Sequence, residues 1–361
     1  MRVGIISRQR IVNYGSYLHA FALKSMIEEL GNEVYFIDYR DENDTFNYAE
    51  EYSGHLFYLK RFYHKVKNRH CNHFYLDREY LFKKKLLKSL GISKKYNDSY
   101  ACDAVVIGSD EIFNICEQSP WGKSTSMLGS LVHKNQILIS YAASFGYTTK
   151  ELIKEEKLEN VVADLLNKFD DISVRDANSV NIVKALTGKI PYKNLDPVLI
   201  YDFTKYMPQH VRLKNYLVVY GYDYRINDEF VIKNIKKLAK EENLKIVALG
   251  MEQSWADINY LPHPFELLAL IKNAKYVVTD TFHGTVFSIK FQKNFITLIR
   301  DTNKEKLTDL LTVFDLLDRK VDETSDIINV LKKNYDKRGV QNLISKEIIR
   351  THQYLEKYLS N

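Results

Sequence analysis

Short apolar runs of strand length alternate with helical stretches along most of this chain, and this alternation constrains the fold more than any other feature. The runs at residues 34–37, 104–107 and 245–249 are almost wholly apolar, and residues 195–201 fit the same extended pattern. Strands that are apolar on both faces are typical of parallel sheets, which helices cover on both sides. The sequence therefore predicts an α/β protein with mainly parallel sheets.

The alternating pattern occurs twice, and 361 residues exceed what one hydrophobic core usually holds. We expect a Rossmann-like N-terminal domain at residues 1–205 and a second Rossmann-like domain at residues 206–322. Residues 41–100 are polar and rich in aromatic side chains, and we interpret them as a helical insertion in the first domain. For residues 323–361 we expect a C-terminal helical tail, which could cross back to the first domain.

The composition and the absence of long apolar segments indicate a cytoplasmic globular protein. Of the residues, 45% are hydrophobic and 27% are charged, which is ordinary for a folded domain. The apolar run after Met1 is too short for a signal peptide, and no later run reaches the roughly 18 residues of a membrane helix. Cys71, Cys102 and Cys116 are odd in number and lack short paired spacing, so we expect neither disulfides nor a metal site.

Much of the formal net charge of +6 lies in two basic stretches within the first hundred residues. One spans residues 60–73 and carries three lysines, two arginines and three histidines among aromatic residues, and Lys83, Lys84 and Lys85 form the other. These stretches fit a solvated helix face, a surface against anionic lipid headgroups, or a nucleic-acid surface. We expect no nucleic-acid partner and retain peripheral contact with the inner membrane surface as an alternative to the solvated face.

In the first half, small polar and ionisable residues follow the predicted strands, where open α/β sheets bind ligands. These residues are Asn13, Tyr14, Gly15, Ser16, Ser109, Asp110, Ser144 and Arg175. Arg175 either clamps a carboxylate or phosphate, or forms a structural salt bridge with Asp176, Asp196 or another acid. Asp110 could hold a sugar hydroxyl, act as a general base, or only close a turn.

The second half has its densest polar group directly before an apolar helix. Thr281, His283, Gly284 and Thr285 would place two hydroxyls, an imidazole and free N–H groups around an anion such as phosphate, and Gly250 follows another strand. Alternatively, the threonines only cap the helix and His283 is a buried core histidine. Asp280 could pair with His283 or serve as the cap. The sequence has neither a glycine-rich dinucleotide motif nor a P-loop, which argues against a nicotinamide cofactor and nucleotide hydrolysis.

Five segments, taken together and in this order, resemble the polysaccharide pyruvyl transferase family. They are NYGSYLHAFAL at residues 13–23, VIGSDEIFN at 106–114, ISVRD at 172–176, LDPV at 195–198 and VTDTFHGTVFS at 278–288. The chain departs from the usual family pattern at His19, Glu111, Phe113 and Thr281. Phe282 stands where some members carry an arginine that adds a phosphate contact.

The resemblance implies a fold similar to GT-B glycosyltransferases, with the active site in a cleft between the two domains. It also implies transfer of the enolpyruvyl carbons of phosphoenolpyruvate, as donor, to two hydroxyls of a sugar, with no required cofactor. We expect a glycan or lipid-linked sugar acceptor, and a lipid-linked one would explain the basic insertion as a membrane-facing surface. His283 would be the acid, Arg175 the carboxylate or phosphate clamp, and Asp110 the group that activates the acceptor. The donor would contact Thr281, His283, Gly284, Thr285, Gly250 and Arg175, and the acceptor Asn13, Tyr14, Gly15, Ser16, Ser109, Asn114 and Ser144.

Two alternatives remain at this point. A GT-B glycosyltransferase with a nucleotide-sugar donor would share the fold and could use Glu266, which follows Pro262, His263 and Pro264, to bind the ribose. A non-catalytic carbohydrate-binding relative would tolerate the loss of His283 or Arg175, and their presence argues against it. The sequence predicts neither the acceptor sugar nor the oligomeric state.

Overall fold

The computed structural model describes residues 1–38, 77–93, 95–117, 124–222, 225–300, 303–322 and 324–360. The chain divides into two compact units, Met1–Asn194 together with His352–Asn361, and Leu195–Thr351. Most of the predicted insertion at 41–100, its basic stretch at 60–73 and Cys71 lie outside the described residues.

The first unit is built on a four-stranded parallel sheet in the order β2-β1-β3-β4. The strands are β1 Arg2–Ile6, β2 Glu33–Ile37, β3 Ala104–Ile107 and β4 Ile137–Ser140. A parallel pair, β5 Ser173–Val174 and β6 Tyr192–Lys193, is joined to the end of β4 by bridges at Ile139–Asp171 and Ala143–Val174. Because the chain leaves β1 in both directions, the sheet has a topological switch point between β1 and β3.

The helices of the first unit begin at side-chain caps that the sequence supplies. Asn13, Thr149 and Asp176 each accept backbone N–H groups at the start of a helix, which satisfies donors that the helix cannot pair itself. A π-helix, Leu81–Leu86, leads into α2, and a 3₁₀ turn spans Thr125–Leu128. The α-helices are α1 Tyr14–Glu29, α2 Leu87–Ser89, α3 Lys150–Glu155, α4 Glu159–Asn167 and α5 Ala177–Thr187.

The second unit contains a six-stranded parallel sheet in the order β12-β11-β10-β7-β8-β9. The strands are β7 Tyr216–Tyr220, β8 Lys245–Leu249, β9 Ile258–Tyr260, β10 Tyr276–Thr279, β11 Asn294–Leu298 and β12 Lys320–Val321. Counted within the unit, this is the 3-2-1-4-5-6 order of Rossmann sheets. Ligands are therefore expected beyond the carboxyl ends of β7 and β10, where the strand order reverses.

The helices of the second unit cover this sheet and bury their apolar faces against it. In one of them Val231, Ile235 and Leu238 recur at helical spacing and are buried, with Asp228 as the N-cap. Short 3₁₀ turns occur at Thr204–Tyr206 and Leu317–Arg319. The α-helices are α6 Pro197–Ile200, α7 Glu229–Glu241, α8 Pro264–Asn273, α9 Phe282–Lys290, α10 Lys304–Val313 and α11 Ile327–Lys332.

The structure divides the chain at Asn194, before the predicted boundary at residue 205. The expectation of extended chain at 195–201 is wrong, because Asp196 caps α6 and Pro197 occupies its first turn. Lys290, at the end of α9, donates to the carbonyls of Leu199 at 3.1 Å and Tyr201 at 2.7 Å. These bonds tie α6 to the second unit.

The C-terminal helix, α12 Lys337–Leu359, contributes its last turns to the first unit from His352 onward. There the Tyr354 hydroxyl donates to the Ser140 carbonyl at 2.8 Å, and the Tyr358 hydroxyl donates to Asp171 Oδ2 at 2.5 Å. The first unit is therefore made of two separate stretches of chain.

The predicted α/β class with parallel sheets and a C-terminal helix is confirmed in both units. Throughout the described ranges, no helix combines the length and the apolar character that crossing a bilayer would need.

Candidate functional site

Two serine hydroxyls are buried at the switch point of the first unit. Ser7 follows β1 and Ser109 follows β3, and both side chains are fully buried. Neither Oγ atom has a hydrogen-bond partner among the residues that the structure describes. A buried hydroxyl without a partner is unfavourable, so such a group is a candidate for contact with a ligand. The strand-end argument predicted Ser109 but missed Ser7, although Ser7 directly follows the first apolar run.

Beside Ser109, Asp110 and Arg175 form an ion pair through Oδ1 and Nη2. The Arg175 side chain is 2% exposed, whereas that of Asp110 is 20% exposed. Arg175 therefore supports Asp110 from the interior. The next residue, Glu111, has a φ of 52°, a left-handed conformation that non-glycine residues rarely adopt and that often marks a functional turn.

A hydrogen-bond network supports this turn and uses two of the predicted acceptor-binding residues. Ser144 Oγ donates to Asp176 Oδ2 at 2.6 Å, while Asp176 Oδ1 caps α5 through the Ser179 N–H at 2.8 Å. Asn114 accepts from Thr148 Oγ1 at 2.5 Å and donates to Glu111 Oε2 at 3.3 Å. Ser144 and Asn114 are buried. Their polar groups hold the loop, and sugar binding by these two residues stays a prediction.

The predicted acceptor segment from Asn13 to Ser16 forms the start of α1. Asn13 Oδ1 accepts from the N–H groups of Gly15 at 2.8 Å and Ser16 at 3.2 Å. The Tyr14 ring is buried and packs edge-to-face on Phe82, with centroids 5.2 Å apart. The segment thus serves helix capping and core packing, and acceptor contact by its residues stays a prediction.

An arginine that sequence reasoning missed lies next to Ser7. Arg8 is 6% exposed and forms an ion pair with Glu117. The next two side chains both bind Asp38. Gln9 Nε2 donates to Asp38 Oδ1 at 3.1 Å, and Arg10 binds both carboxylate oxygens of Asp38 at 2.6 Å. The signal for Arg8 was its position directly after the first strand.

In the second unit, the threonine hydroxyls of the predicted phosphate loop have partners within the fold. Thr281 is the N-cap of α9, and its Oγ1 accepts from the Gly284 N–H at 2.9 Å. Thr285 Oγ1 lies 3.1 Å from the Thr281 carbonyl and 3.0 Å from Thr297 Oγ1. A Cβ atom at Gly284 would lie 1.9 Å from Thr279 Oγ1, so only glycine fits there. Phosphate binding by these residues stays a prediction.

His283 lies on the first turn of α9 and faces a carboxylate. Its Nε2 is 3.6 Å from Asp196 Oδ2, and the two side chains are 6% and 1% exposed. Asp196 Oδ1 caps α6 by accepting from the Val198 N–H at 3.0 Å. The imidazole packs near the rings of Phe282 and Phe287, at centroid distances of 5.4 and 6.1 Å. An ionisable ring is thus held against an acid at the switch point of the sheet.

Asp280 pairs with Arg300, a residue that sequence reasoning missed. Arg300 Nε donates to Asp280 Oδ2 at 3.1 Å, and the Tyr222 N–H donates to Oδ1 at 3.3 Å. Burial raises the pKa of Asp280, and the Arg300 guanidinium opposes that rise. The interpretation that Asp280 pairs with His283 or caps the helix is wrong, because Asp280 pairs with Arg300 and Thr281 is the N-cap of α9. The signal for Arg300 was its position after the apolar run of β11.

Gly250 has a φ of 74° at the end of β8, where glycine is favoured. Its N–H donates to the Tyr260 carbonyl at 2.9 Å. The Gly250 N–H therefore pairs the chain with β9, and phosphate binding by Gly250 stays a prediction.

A family model described as polysaccharide pyruvyl transferase matches residues 13–302 of the chain. No curated protein sequence matches the chain significantly.

Several solved structures resemble the chain at low sequence identity. The Streptomyces sp. SF2575 glycosyltransferase SsfS6, complexed with thymidine diphosphate, is 12% identical over 99% of both chains, with a TM-score of 0.49. The S. aureus MnaA–UDP structure is 12% identical over 99% of this chain and 90% of its own, with a TM-score of 0.49. The Methanocaldococcus jannaschii UDP-GlcNAc 2-epimerase with UDP-GlcNAc and UDP is 12% identical over 98% of this chain and 100% of its own, with a TM-score of 0.47. Similarities at this level assign no substrate to the chain.

Proposed function

This chain belongs to the polysaccharide pyruvyl transferase family, and we propose that it transfers the enolpyruvyl carbons of phosphoenolpyruvate to a sugar in a capsular, exopolysaccharide or cell-wall glycan precursor. The observation that carries the proposal is the pair of His283 and Asp196 at the switch point of a Rossmann-type sheet. The family reaction needs a proton donor, and histidine can give or take a proton near neutral pH.

The reaction joins two sugar hydroxyl oxygens to C2 of the donor. An acid protonates the methylene carbon, which becomes a methyl group and leaves a cationic centre at C2. One sugar hydroxyl adds to C2 and loses its proton, the C2–O bond to phosphate breaks, and the second hydroxyl adds in the same way. One hydroxyl proton leaves with the phosphate and the other restores the acid, so the products are a pyruvate ketal and inorganic phosphate.

We assign the acid to His283. Asp196 Oδ2 lies 3.6 Å from Nε2, beyond direct hydrogen-bond distance, and places a buried negative charge beside the ring. The rings of Phe282 and Phe287 limit the movement of the imidazole. His283 is nearly buried, which keeps bulk water from competing for its proton.

Phosphoenolpyruvate carries a phosphate and a carboxylate, and the protein must offer positive charge to bind both anionic groups. Because the Thr281 and Thr285 hydroxyls and the Gly284 N–H are bonded within the fold, we assign this task to the positive end of the α9 dipole and to the guanidinium of Arg300. Arg300 follows β11, the strand beside β10, and its side chain is 37% exposed. It would stand in for the arginine that some family members carry at the position of Phe282.

For the acceptor we assign the base to Asp110 and its support to Arg175. The ion pair fixes the carboxylate, whose side chain is the more exposed of the two. The hydroxyls of Ser7 and Ser109 would accept and donate hydrogen bonds to the sugar. Arg175, which is almost fully buried, acts through Asp110 in this scheme and not as a direct clamp on the donor.

The proposed chemistry requires neither a metal nor an organic cofactor. A lipid-linked acceptor at the inner membrane surface would suit the basic stretch at residues 60–73, which lies outside the described residues.

Isothermal titration of the purified protein with phosphoenolpyruvate, and separately with nucleotide sugars, tests the proposal. We expect binding of phosphoenolpyruvate. Binding of a nucleotide sugar alone would favour a glycosyltransferase and refute the proposed donor.

A further inference from the structure

The second unit has a cavity of about 710 Å³ whose lining includes an edge of its sheet. The lining comes from the 3₁₀ turn Thr204–Tyr206 and the chain after it, from β9, and from the first turn of α8. It includes Tyr206, His210, Arg212, Tyr260, Phe265 and Glu266. None of these residues belongs to the site described above. The volume lies within the range of small-molecule pockets.

Aromatic rings form much of this cavity. Tyr206 and Phe265 stack with ring centroids 5.1 Å apart and an angle of 24° between their planes. Tyr206 and Tyr260 line the cavity and stay 37% and 36% exposed. The Phe265 ring holds Tyr206, and a hydrogen bond to Glu266 holds Tyr260, so the two tyrosines offer rigid apolar surface with a polar tip.

The polar side chains of the cavity are of both signs. Glu266 Oε1 accepts from the Tyr260 hydroxyl at 2.8 Å, which orients the carboxylate and the ring together. A carboxylate can accept further hydrogen bonds, and the guanidinium of Arg212 and the imidazole of His210 add donors. The acid and the guanidinium balance in charge, so the lining suits a neutral ligand with many hydroxyls better than a diphosphate.

We propose that this aromatic cavity binds a pyranose ring of a glycan, with its C–H face on the tyrosines and its hydroxyls on Glu266 and Arg212. That the ring belongs to the acceptor glycan rests on the proposed function. In that scheme the cavity would hold a sugar unit distinct from the one that receives pyruvate, and it would contribute to the choice of acceptor. Nucleotide binding is the competing outcome.

Saturation-transfer difference NMR on the full chain, without phosphoenolpyruvate, tests the proposal. The probes are methyl β-D-glucopyranoside, methyl β-D-galactopyranoside and methyl α-D-mannopyranoside, with uridine monophosphate as the competitor. We expect saturation transfer to the ring protons of at least one glycoside, and a loss of at least fivefold in Tyr206→Ala and in Glu266→Gln. Tyr80→Ala, which removes a tyrosine that is 59% exposed outside the cavity, should leave the signal unchanged.

The proposal fails if no glycoside shows saturation transfer, if Tyr206→Ala retains the full signal, or if uridine monophosphate displaces the glycoside. Titration with phosphoenolpyruvate is carried out on the same samples. In the wild type, absence of glycoside binding with intact phosphoenolpyruvate binding overturns the cavity proposal alone, and glycoside binding without phosphoenolpyruvate binding overturns the proposed donor alone.

Discussion

Arg175 is almost fully buried and donates to the carboxylate of Asp110, which keeps 20% of its side chain exposed. The arginine follows β5 and the aspartate follows β3, so the pair brings together the ends of two strands of the first unit. An arrangement of this kind holds a carboxylate in one orientation at the edge where the sheet offers space for a ligand.

Replacing this carboxylate should remove catalysis and spare the donor site. We expect Asp110→Asn to lower acceptor-dependent release of phosphate from phosphoenolpyruvate by at least 100-fold, because a general base typically contributes 10²–10⁴. The affinity for phosphoenolpyruvate, measured by titration calorimetry, should stay within twofold. Arg175→Lys should lower kcat less, by roughly tenfold, because lysine keeps the charge but not the fixed geometry. Wild-type phosphate release by Asp110→Asn would exclude Asp110 as the base.

Asp196 has two roles that different substitutions can separate, because it caps α6 and also faces the imidazole of His283. We expect His283→Gln to lower transfer by at least 100-fold with unchanged thermal unfolding. Asp196→Asn should preserve the cap of α6, since asparagine caps helices as well as aspartate does. It should still lower kcat, because the negative charge beside the imidazole is gone. A wild-type kcat in Asp196→Asn would show that Asp196 only caps α6.

Arg300 should matter for both stability and donor binding. Arg300→Met leaves a buried carboxylate at Asp280 without its cation, which we expect to lower the free energy of unfolding by about 1–3 kcal/mol after allowance for the partial exposure of Arg300. The affinity for phosphoenolpyruvate should fall about tenfold or more. Arg338→Met, at an exposed position of α12, is the matched control and should change neither quantity.

A second substitution distinguishes the two effects of Arg300. Arg300→Met combined with Asp280→Asn should recover much of the lost stability, since the buried charge is removed, while phosphoenolpyruvate binding stays weak. Recovery of binding together with stability would mean that Arg300 has only a structural role.

Gly284 should tolerate no side chain. A Cβ atom there would collide with Thr279, which ties β10 to β7 through the Tyr220 carbonyl at 2.6 Å. We expect Gly284→Ala to destabilise the protein by about 1–3 kcal/mol in chemical denaturation. Gly339→Ala is the matched control, because its new methyl group would meet only the exposed carboxylate of Asp336, whose hydrogen bond from the Gly339 N–H is the one contact it could disturb, and alanine favours a helix. Equal effects of the two substitutions would contradict the collision at Gly284.

Lys290 should make stability depend on pH above neutrality. Burial lowers the pKa of Lys290 to about 8 from its ordinary value of 10.5. The folded protein therefore binds fewer protons than the unfolded chain between these two pH values, and the destabilisation caused by burying charged Lys290 is relieved progressively as pH rises from about 8 to 10.5. Urea denaturation of wild type and Lys290→Met at pH 7.5 and 10 isolates the effect. The wild type should gain stability relative to the variant at the higher pH, and a constant difference would contradict the shifted pKa.

The class of fold was accessible from the sequence because strands buried on both faces are apolar along their length. The runs that became β3 and β8 show this directly. The strand order was not accessible, since the pairing of β10 with β7 joins segments that are distant in sequence. The apolar run within 195–201 also led to a wrong prediction of extended chain, because the Asp196 cap and Pro197 make it a short helix.

The candidate site was predictable to the extent that its residues follow strands. This rule identified Ser109, Asp110, Arg175 and His283, and it would have found Ser7 and Arg300 if applied to every strand end. It could not show that the Thr285 hydroxyl is bonded to Thr297, because that contact depends on β10 lying beside β11. Nor could it show the ion pair of Asp110 with Arg175, whose partners are separated by a helix-rich stretch of chain.

The return of α12 to the first unit sets an order of assembly. Residues from His352 onward are synthesised only after the whole second unit, yet they supply the hydroxyls of Tyr354 and Tyr358 that bind beside β4. On the ribosome, the unit whose synthesis begins first is therefore completed last, and the surface beside β4 that Tyr354 and Tyr358 cover stays open throughout translation of the second unit.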